Sequence, residues 1–263
     1  MVKRTMDEKV LTIIQARKGS SRLASKVLRD LGGKTALEHV IYRVTQSKLT
    51  SQVVVATTIN RADLPIVEIC AGMGVSVYCG CEEDPLERYY QATRLFGGAH
   101  TVRIKADCPL IDPEIVDEAI SLHLSSGADY TTNTIERTYP VGQDVEILTR
   151  QALKTVWQSA VLFSEREHIT IHIPKHPDLF KISHLKCTED LSGKRLTMDY
   201  PADYELLRII FDDLYPQNPD FRIKDVLGFL SKNPELEKIN GHISVDSGVQ
   251  KSLLEDRVVS GSN

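Results

Sequence analysis

VLTIIQARKGSSRLASKVL, residues 10–28, joins two patterns, and the junction between them decides the fold. Residues 10–16 are apolar and rich in β-branched side chains, the composition of a buried strand. The chain then places four cations, Arg17, Lys18, Arg22 and Lys26, within residues 17–26, with no acid among them. A parallel sheet presents its crevice at the carboxyl ends of its strands, so a cationic loop leaving that end reads as an anion site. Gly19, Ser20 and Ser21 let the backbone turn tightly and expose N–H donors, while Arg22 and Lys26 are placed to neutralise a polyphosphate. A solvated basic loop has the same composition, so the surrounding pattern must discriminate.

Outward from this stretch, short β-branched runs alternate with helical ones. QVVVATT (52–58), VSVYCG (75–80) and HTVRIKA (100–106) read as strands. Between them, TALEHVIYRVTQS, ADLPIVEICAGMG and DPLERYYQATRLFGG carry apolar residues near helical spacing, and the last begins with Asp-Pro and ends in glycine. Such alternation predicts an α/β fold: a Rossmann-like, mostly parallel sheet flanked by helices. The second half changes character. A strand at 129–134 leads into an irregular stretch around RTYPVGQDVEIL, helices near 149–160 and 164–172, strands near 179–186 and 195–199, and a helix opened by Pro201. Residues 1–240 are expected to form one domain, with an inserted acceptor or dimerisation subregion at about 135–190. The polar tail 241–263 is expected to fray or to cover a partner.

Composition narrows the partners. A net charge of −4 leaves no general basic field for a polynucleotide, so the cations of residues 17–29 are a local feature. The N-terminal MVKRTMDEKV lacks the apolar core of a signal peptide and no run approaches a membrane span, which points to a cytoplasmic protein without membrane contact. The five cysteines are irregularly spaced, and Cys79-Gly-Cys81 has no second pair to complete a zinc site, so buried or idle thiols are expected. GGKT (32–35) imitates the end of a P-loop, but Leu28 stands where that motif requires glycine; a Gly-Gly turn opening the helix near Thr35 is the better reading. Asp107 follows the strand HTVRIKA and Asp199 follows KRLTM, both at strand-to-helix corners. Two such acids suit a shared Mg²⁺, and each position equally suits a helix N-cap.

Taken in order over residues 10–214, IIQARKGSSRLASKVLRDLGGKTALEHVIYRV, VVVATT, DPLERYYQA, VRIKADCPLIDPEIVD, DYTTNT with RTYPVGQDVEIL, SEREHIT and LTMDYPADYELL together resemble the cytidylyltransferases related to CMP-Kdo synthetase, and within them the branch of spore coat polysaccharide biosynthesis protein F. The family loop has the form A-R-x-x-S-x-R-L-P-G-K. The resemblance implies a nucleotidyltransferase (GT-A-like) fold, with Arg17, Arg22 and Lys26 as triphosphate ligands and Asp107 and Asp199 as Mg²⁺ carboxylates. Ala24 and Ser25 stand where the family has Pro and Gly, and Ala106 stands where glycine is common, adding a methyl near the nucleotide.

The implied reaction is attack by an acceptor oxygen on the α-phosphorus of CTP, giving a CMP-linked product and pyrophosphate. Such chemistry needs positioning and charge neutralisation, with Arg17, Arg22, Lys26 and Asp107 as the catalytic set. The cytosine is expected near the ends of the VVVATT and VRIKAD strands, its edge meeting backbone groups beside Ala16, Thr57 and Lys105. The acceptor, a 2-keto sugar acid or a phosphate or phosphonate, is expected at Tyr139, Gln143, Asp144 and Glu146, with Arg166 and His168. A homodimer is also expected. Two alternatives stay open: a non-catalytic nucleotide-binding homologue, and an NDP-sugar-dependent glycosyltransferase, for which the nearest approach to D-x-D is Asp112-Pro113-Glu114.

Overall fold

The computed structural model describes residues 9–245 and 247–259. Residues 1–8 of the stretch read for a signal peptide, and residues 246 and 260–263 of the tail, lie outside the described residues. Among the described residues seven strands form one sheet: β1 (Val10–Gln15), β4 (Gln52–Thr58), β5 (Ser76–Gly80), β6 (His100–Lys105), β7 (Tyr130–Thr132), β8 (Glu146–Thr149) and β9 (Ile182–His184). Their order is β5-β4-β1-β6-β8-β7-β9, and every neighbouring pair is parallel except that β8 runs against both β6 and β7. The expected mostly parallel, helix-flanked sheet is therefore present. Residues 135–190 contribute β8 and β9 to this main sheet.

Period-two alternation sorts the strands onto two cores. Val10 and Ile14 of β1, Val55 of β4, and Val102 and Ile104 of β6 meet α1 (Ala36–Thr45), α2 (Leu64–Gly72) and α4 (Pro113–Ser126). Leu11, Ile13, Val54, Ala56 and Leu148 meet α3 (Pro85–Phe96) and α5 (Arg150–Ser159) on the other face. A third cluster packs α8 (Pro201–Leu214) and α9 (Ile223–Lys232) over Leu23, Leu31 and Ala36, anchoring the far end of the cationic loop. The caps follow the sequence: Thr35 and Glu38 form a capping box on α1, and Asp84 accepts from the Glu87 amide to cap α3. Gly32 and Gly33, with φ of 64° and 88°, make the turn between the short β2 (Asp30–Leu31) and β3 (Lys34–Thr35), so GGKT is a hairpin turn and not a phosphate loop.

Three local expectations are corrected. Residues 195–199 form no ladder: Arg195 makes one isolated bridge to Val141, and the Met198 amide donates to the Asp107 carbonyl at 2.8 Å, so this extended segment ties loops together. Gly142, at φ 105°, permits that approach; a Cβ there would lie 2.6 Å from the Leu196 carbonyl. The helix expected at 164–172 is broken into α6 (Phe163–Glu167) and α7 (His172–Lys175). Between them Ile169 turns left-handed (φ 41°) into the α3–α5 core, and the Thr170 hydroxyl donates to Glu146 at 2.6 Å. The described part of the tail, including α10 (Ser247–Leu254), packs on its own chain: Asp256 accepts from the Ser164 amide and hydroxyl, both at 2.9 Å, and the Phe163 amide donates to the Arg257 carbonyl.

Candidate active site

A cleft of about 1020 Å³ opens at the carboxyl ends of β1 and β6, walled by the cationic loop, α6 and the tail. The loop's start is pinned by Asp63, which accepts from the Lys18 amide at 2.7 Å. Gly19, Ser20, Arg22 and Lys26 then line the cleft, together with Arg17, whose guanidinium pairs with Glu167 of α6 at 3.1 Å.

Asp107 and Asp199 converge here. The backbone bond from Met198 to Asp107 brings their two corners together, and the Lys26 ammonium donates to both carboxylates, at 2.6 Å for Asp199. Arg22 donates to the same Asp199 oxygen at 2.8 Å. Burial alone would lower the Lys26 pKa, but Asp107 and Asp199 reverse this and hold it above its ordinary value. Burial would likewise raise Asp199, and Lys26 followed by Arg22 instead holds its carboxyl well below the usual carboxylate range. Neither acid caps a helix. Asp203 reaches back to the Asp199 and Tyr200 amides, at 2.9 and 3.0 Å, and Asp112 caps α4. With capping assigned elsewhere, neither carboxylate is committed to a helix end, and both face the cationic loop.

The face of the sheet that carries the α3–α5 core turns polar as it enters the cleft. Gln15, Arg103 and Lys105 continue the Leu11, Ile13 and Thr101 rows, and register sets Lys105 opposite Gln15 and Arg103 opposite Glu146. Glu146 pairs with Arg103 and accepts from Tyr130 at 2.5 Å; Asp144 pairs with Lys105 at 2.9 Å and Arg137 at 2.6 Å. Burial would raise both carboxyls, but their cationic partners keep them lowered. Arg166, almost wholly buried, holds the Asp84 cap at 2.6 Å, and His168 Nε2 lies 2.9 Å from Ser252 Oγ. Asp144, Glu146, Arg166 and His168 all line the cleft.

Other expected contacts are not brought there. Gln143 is fully buried, accepting from the Asp112 amide and donating to the Leu110 carbonyl, and Tyr139 donates to Glu118 from within the α1–α4 core. Alternation turns the Ala16 and Thr57 side chains to the face of β1 and β4 opposite Gln15, which leaves their backbone groups, not their side chains, for the base edge expected there. The Ala106 methyl is likewise buried in the α1–α4 core and does not line the cleft. Asp112 accepts from the amides of Glu114 and Ile223, which accounts for Asp-Pro-Glu as a cap and removes the one sequence feature favouring a glycosyltransferase.

The sequence profile of the family described as "Cytidylyltransferase" matches residues 11–225. The chain belongs to the cytidylyltransferase family. Its catalytic class is therefore that of a nucleotidyltransferase. It is 38% identical over 251 residues to the uncharacterized protein MJ1063 of Methanocaldococcus jannaschii, covering 94% of this chain and 98% of that one. It is 31% identical over 233 residues to the spore coat polysaccharide biosynthesis protein SpsF of Bacillus subtilis, covering 86% and 95%. A solved cytidylyltransferase of Leptospira borgpetersenii superposes with a TM-score of 0.83 at 35% identity, covering 87% of this chain and 96% of that one. The resemblance read from the sequence is borne out. No helix among the described residues is long and apolar enough to cross a membrane.

Cytidylyltransferase resemblance did not single out Gln15, Arg103 or Arg137, all of which line the cleft. For two of them a signal was present: a polar residue ending an otherwise apolar strand at Gln15, and Arg103 sharing the alternation of Lys105. The Gln15 Oε1 is buried without a hydrogen-bond partner.

Proposed function

We propose that this protein transfers CMP from CTP to an anionic sugar acceptor, a 2-keto sugar acid, or to a phosphate or phosphonate, releasing pyrophosphate, in surface polysaccharide or related glycoconjugate synthesis. The observation that carries the reading is the convergence of Asp107 and Asp199 on Lys26, beside Arg22 and the turn at Gly19 and Ser20. Two carboxylates already close enough to share one ammonium fit a single Mg²⁺, a cation that takes one or two protein carboxylates and completes its shell with phosphate oxygens and water. Asp107 and Asp199 would hold it, and when bound it neutralises charge developing on the phosphoryl oxygens.

The chain's own residues supply the rest. Arg17, Arg22 and Lys26 release their carboxylate partners and take triphosphate oxygens, which aligns the α-phosphorus for in-line attack. An acceptor oxygen bonds to that phosphorus while the bond to the bridging oxygen of the β-phosphate breaks, and pyrophosphate leaves carrying the electron pair; a sugar hydroxyl gives its proton to water as it attacks, whereas an ionised phosphate or phosphonate oxygen has none to lose. Lys105 and Arg137, held by Asp144, give the acceptor side of the cleft its positive charge. Gln15 Oε1 offers a free acceptor suited to the exocyclic amine of cytosine, where uracil would oppose it with a carbonyl.

Calorimetry with CTP, UTP, ATP and GTP in the presence of Mg²⁺ tests this reading without knowledge of the acceptor. CTP is expected to bind more tightly than UTP by about one to two decades, the cost of one unpaired buried polar contact. Equal affinity for CTP and UTP sinks it. Pyrophosphate release across a panel of sugar acids, phosphates and phosphonates then selects the acceptor.

A further inference from the structure

The back of the cleft wall carries a cluster that the proposed transfer does not use. Glu165 on α6, His172 at the start of α7 and His176 just beyond it place one ligand atom each within 4.8 Å of one another. Glu165 Oε1 lies 3.2 Å from His172 Nδ1, and both side chains are about nineteen-twentieths buried (5% exposed each). His176 lies at the surface with its ring centroid 4.2 Å from that of His172.

The Ser159 hydroxyl donates to the Thr155 carbonyl at 2.7 Å and lies 3.0 Å from His172 Nε2, whose role toward it depends on the imidazole tautomer. With the proton on Nδ1, His172 donates to Glu165; with the proton on Nε2, Nδ1 turns a lone pair toward the carboxylate, the arrangement that a cation between the two stabilises. Lys175 Nζ, 3.3 Å from the same Glu165 oxygen, offsets the carboxylate charge from the side, but its long stem is partly exposed and can withdraw.

We propose that Glu165, His172 and His176 bind one divalent transition-metal ion of the zinc class, clamping α6 to α7. The Glu165–His172 separation of 3.2 Å is close to the ligand-to-ligand edge of about 3.4 Å in a tetrahedron with bonds near 2.1 Å. Two imidazoles and one carboxylate select zinc-like ions over Mg²⁺, which takes oxygen ligands, and they leave a fourth position for water. The clamp brackets residues 168–171, the left-handed break at Ile169 that presents His168, Thr170 and Ile171 to the cleft. Metal binding at the back of the wall therefore fixes the backbone on its catalytic side.

The test uses the full chain stripped by chelator and titrated with Co²⁺ and then Zn²⁺ under excess Mg²⁺, which occupies oxygen-rich sites. One equivalent of Co²⁺ is expected to give the intense visible absorption of a four-coordinate site, to be displaced by Zn²⁺, and to raise the thermal midpoint. His176→Ala, a surface change that does not threaten folding, is expected to weaken binding by about tenfold or more and to abolish the thermal shift; Glu165→Gln is expected to act in the same direction. Absence of a saturable equivalent in the unmodified protein overturns the proposal. Unchanged binding in His176→Ala overturns it equally, by moving the ion elsewhere, for example to the exposed Cys79 and Cys81.

Discussion

The two sides of the cleft hold the same kinds of charge in opposite ways. On the loop side, Arg17 and Arg22 are about one-third exposed and each pairs with a single acid, so a substrate phosphate can replace that acid at little desolvation cost; Lys26, as enclosed as Arg137 of the wall and held by two acids, is the loop's exception. On the wall side, Arg103 with Glu146, Arg137 with Asp144, and Arg166 with Asp84 are largely closed off from water; Glu146 also accepts from Tyr130 and Thr170, and Arg166 also donates to two backbone carbonyls. Opening such a pair leaves a buried charge uncompensated. The difference teaches that charge in a cleft does not by itself identify ligand contacts. Replaceable pairs mark the loop as the side that changes partners, and closed pairs mark the wall as a rigid template against which an acceptor is positioned.

Arg166→Ala is the most forceful way to break this comparison. Its guanidinium holds the Asp84 cap and reaches the Trp157 and Ala160 carbonyls, each at 3.3 Å. Its loss should cost about 3–5 kcal/mol of stability, read from a urea denaturation midpoint, because the α3 cap and two carbonyls lose a buried partner together. A variant of unchanged stability but weakened acceptor use would move Arg166 from template to ligand and dissolve the contrast.

Asp107→Asn probes the opposite side. The shape is kept and one charge is lost, so turnover should fall about 10²–10³-fold, while unfolding by urea should show a loss of only about 1–2 kcal/mol, since Lys26 keeps Asp199 as its partner. A large loss of stability with unchanged Mg²⁺ dependence would return Asp107 to a structural role. Lys26→Ala comes next in size. One charge-assisted phosphate contact contributes about 1.5–3 kcal/mol, so CTP binding should weaken by roughly one to two decades. Without ligand, the same change leaves Asp107 without its cation beside Asp199, which keeps Arg22, and added Mg²⁺ should recover the lost thermal midpoint. Failure of Mg²⁺ to recover it would separate the two acids from any shared cation.

This contrast also explains what the sequence disclosed. β1, β4 and β6 were legible because β-branched runs bounded by turns carry their own period, and Asp107 was legible because it ends such a run at a corner; Asp199 was placed at a corner through a strand that does not form, and stands there because its extended segment is tied to the Asp107 carbonyl. β8 was hidden in an irregular stretch: it is four residues long, and its place between β6 and β7 depends on long-range register that no local pattern encodes. Gln143 and Tyr139 were assigned to the acceptor together with the rest of TYPVGQDVEI, as a stretch overhanging the crevice, yet neighbours along an extended chain need not face the same way. The α6–α7 break was invisible for a related reason. Ile169 adopts its left-handed turn so that Thr170 can satisfy Glu146, a partner 24 positions away.

The finest test lies within the loop, at Ser25. The family pattern has glycine here, and the structure gives the physical reason: Ser25 sits at φ 52°, ψ 32°, the left-handed region, immediately before the short 3₁₀ turn Lys26–Leu28 that aims Lys26 at the two aspartates. A side chain in that conformation costs about 1–2 kcal/mol through contact of Cβ with the following carbonyl. Glycine removes this strain but gives back about 0.5–1 kcal/mol in unfolded-chain entropy. Ser25→Gly should therefore leave stability unchanged or raise it by up to about 1 kcal/mol, and CTP affinity should hold or rise slightly, since the backbone path to Lys26 is already the one glycine prefers. A fall of more than about 1 kcal/mol in the urea midpoint would show that the serine hydroxyl stabilises the turn. The loop would then owe part of its order to its own side chains, and the distinction between an exchangeable loop and a rigid wall would narrow from the loop side.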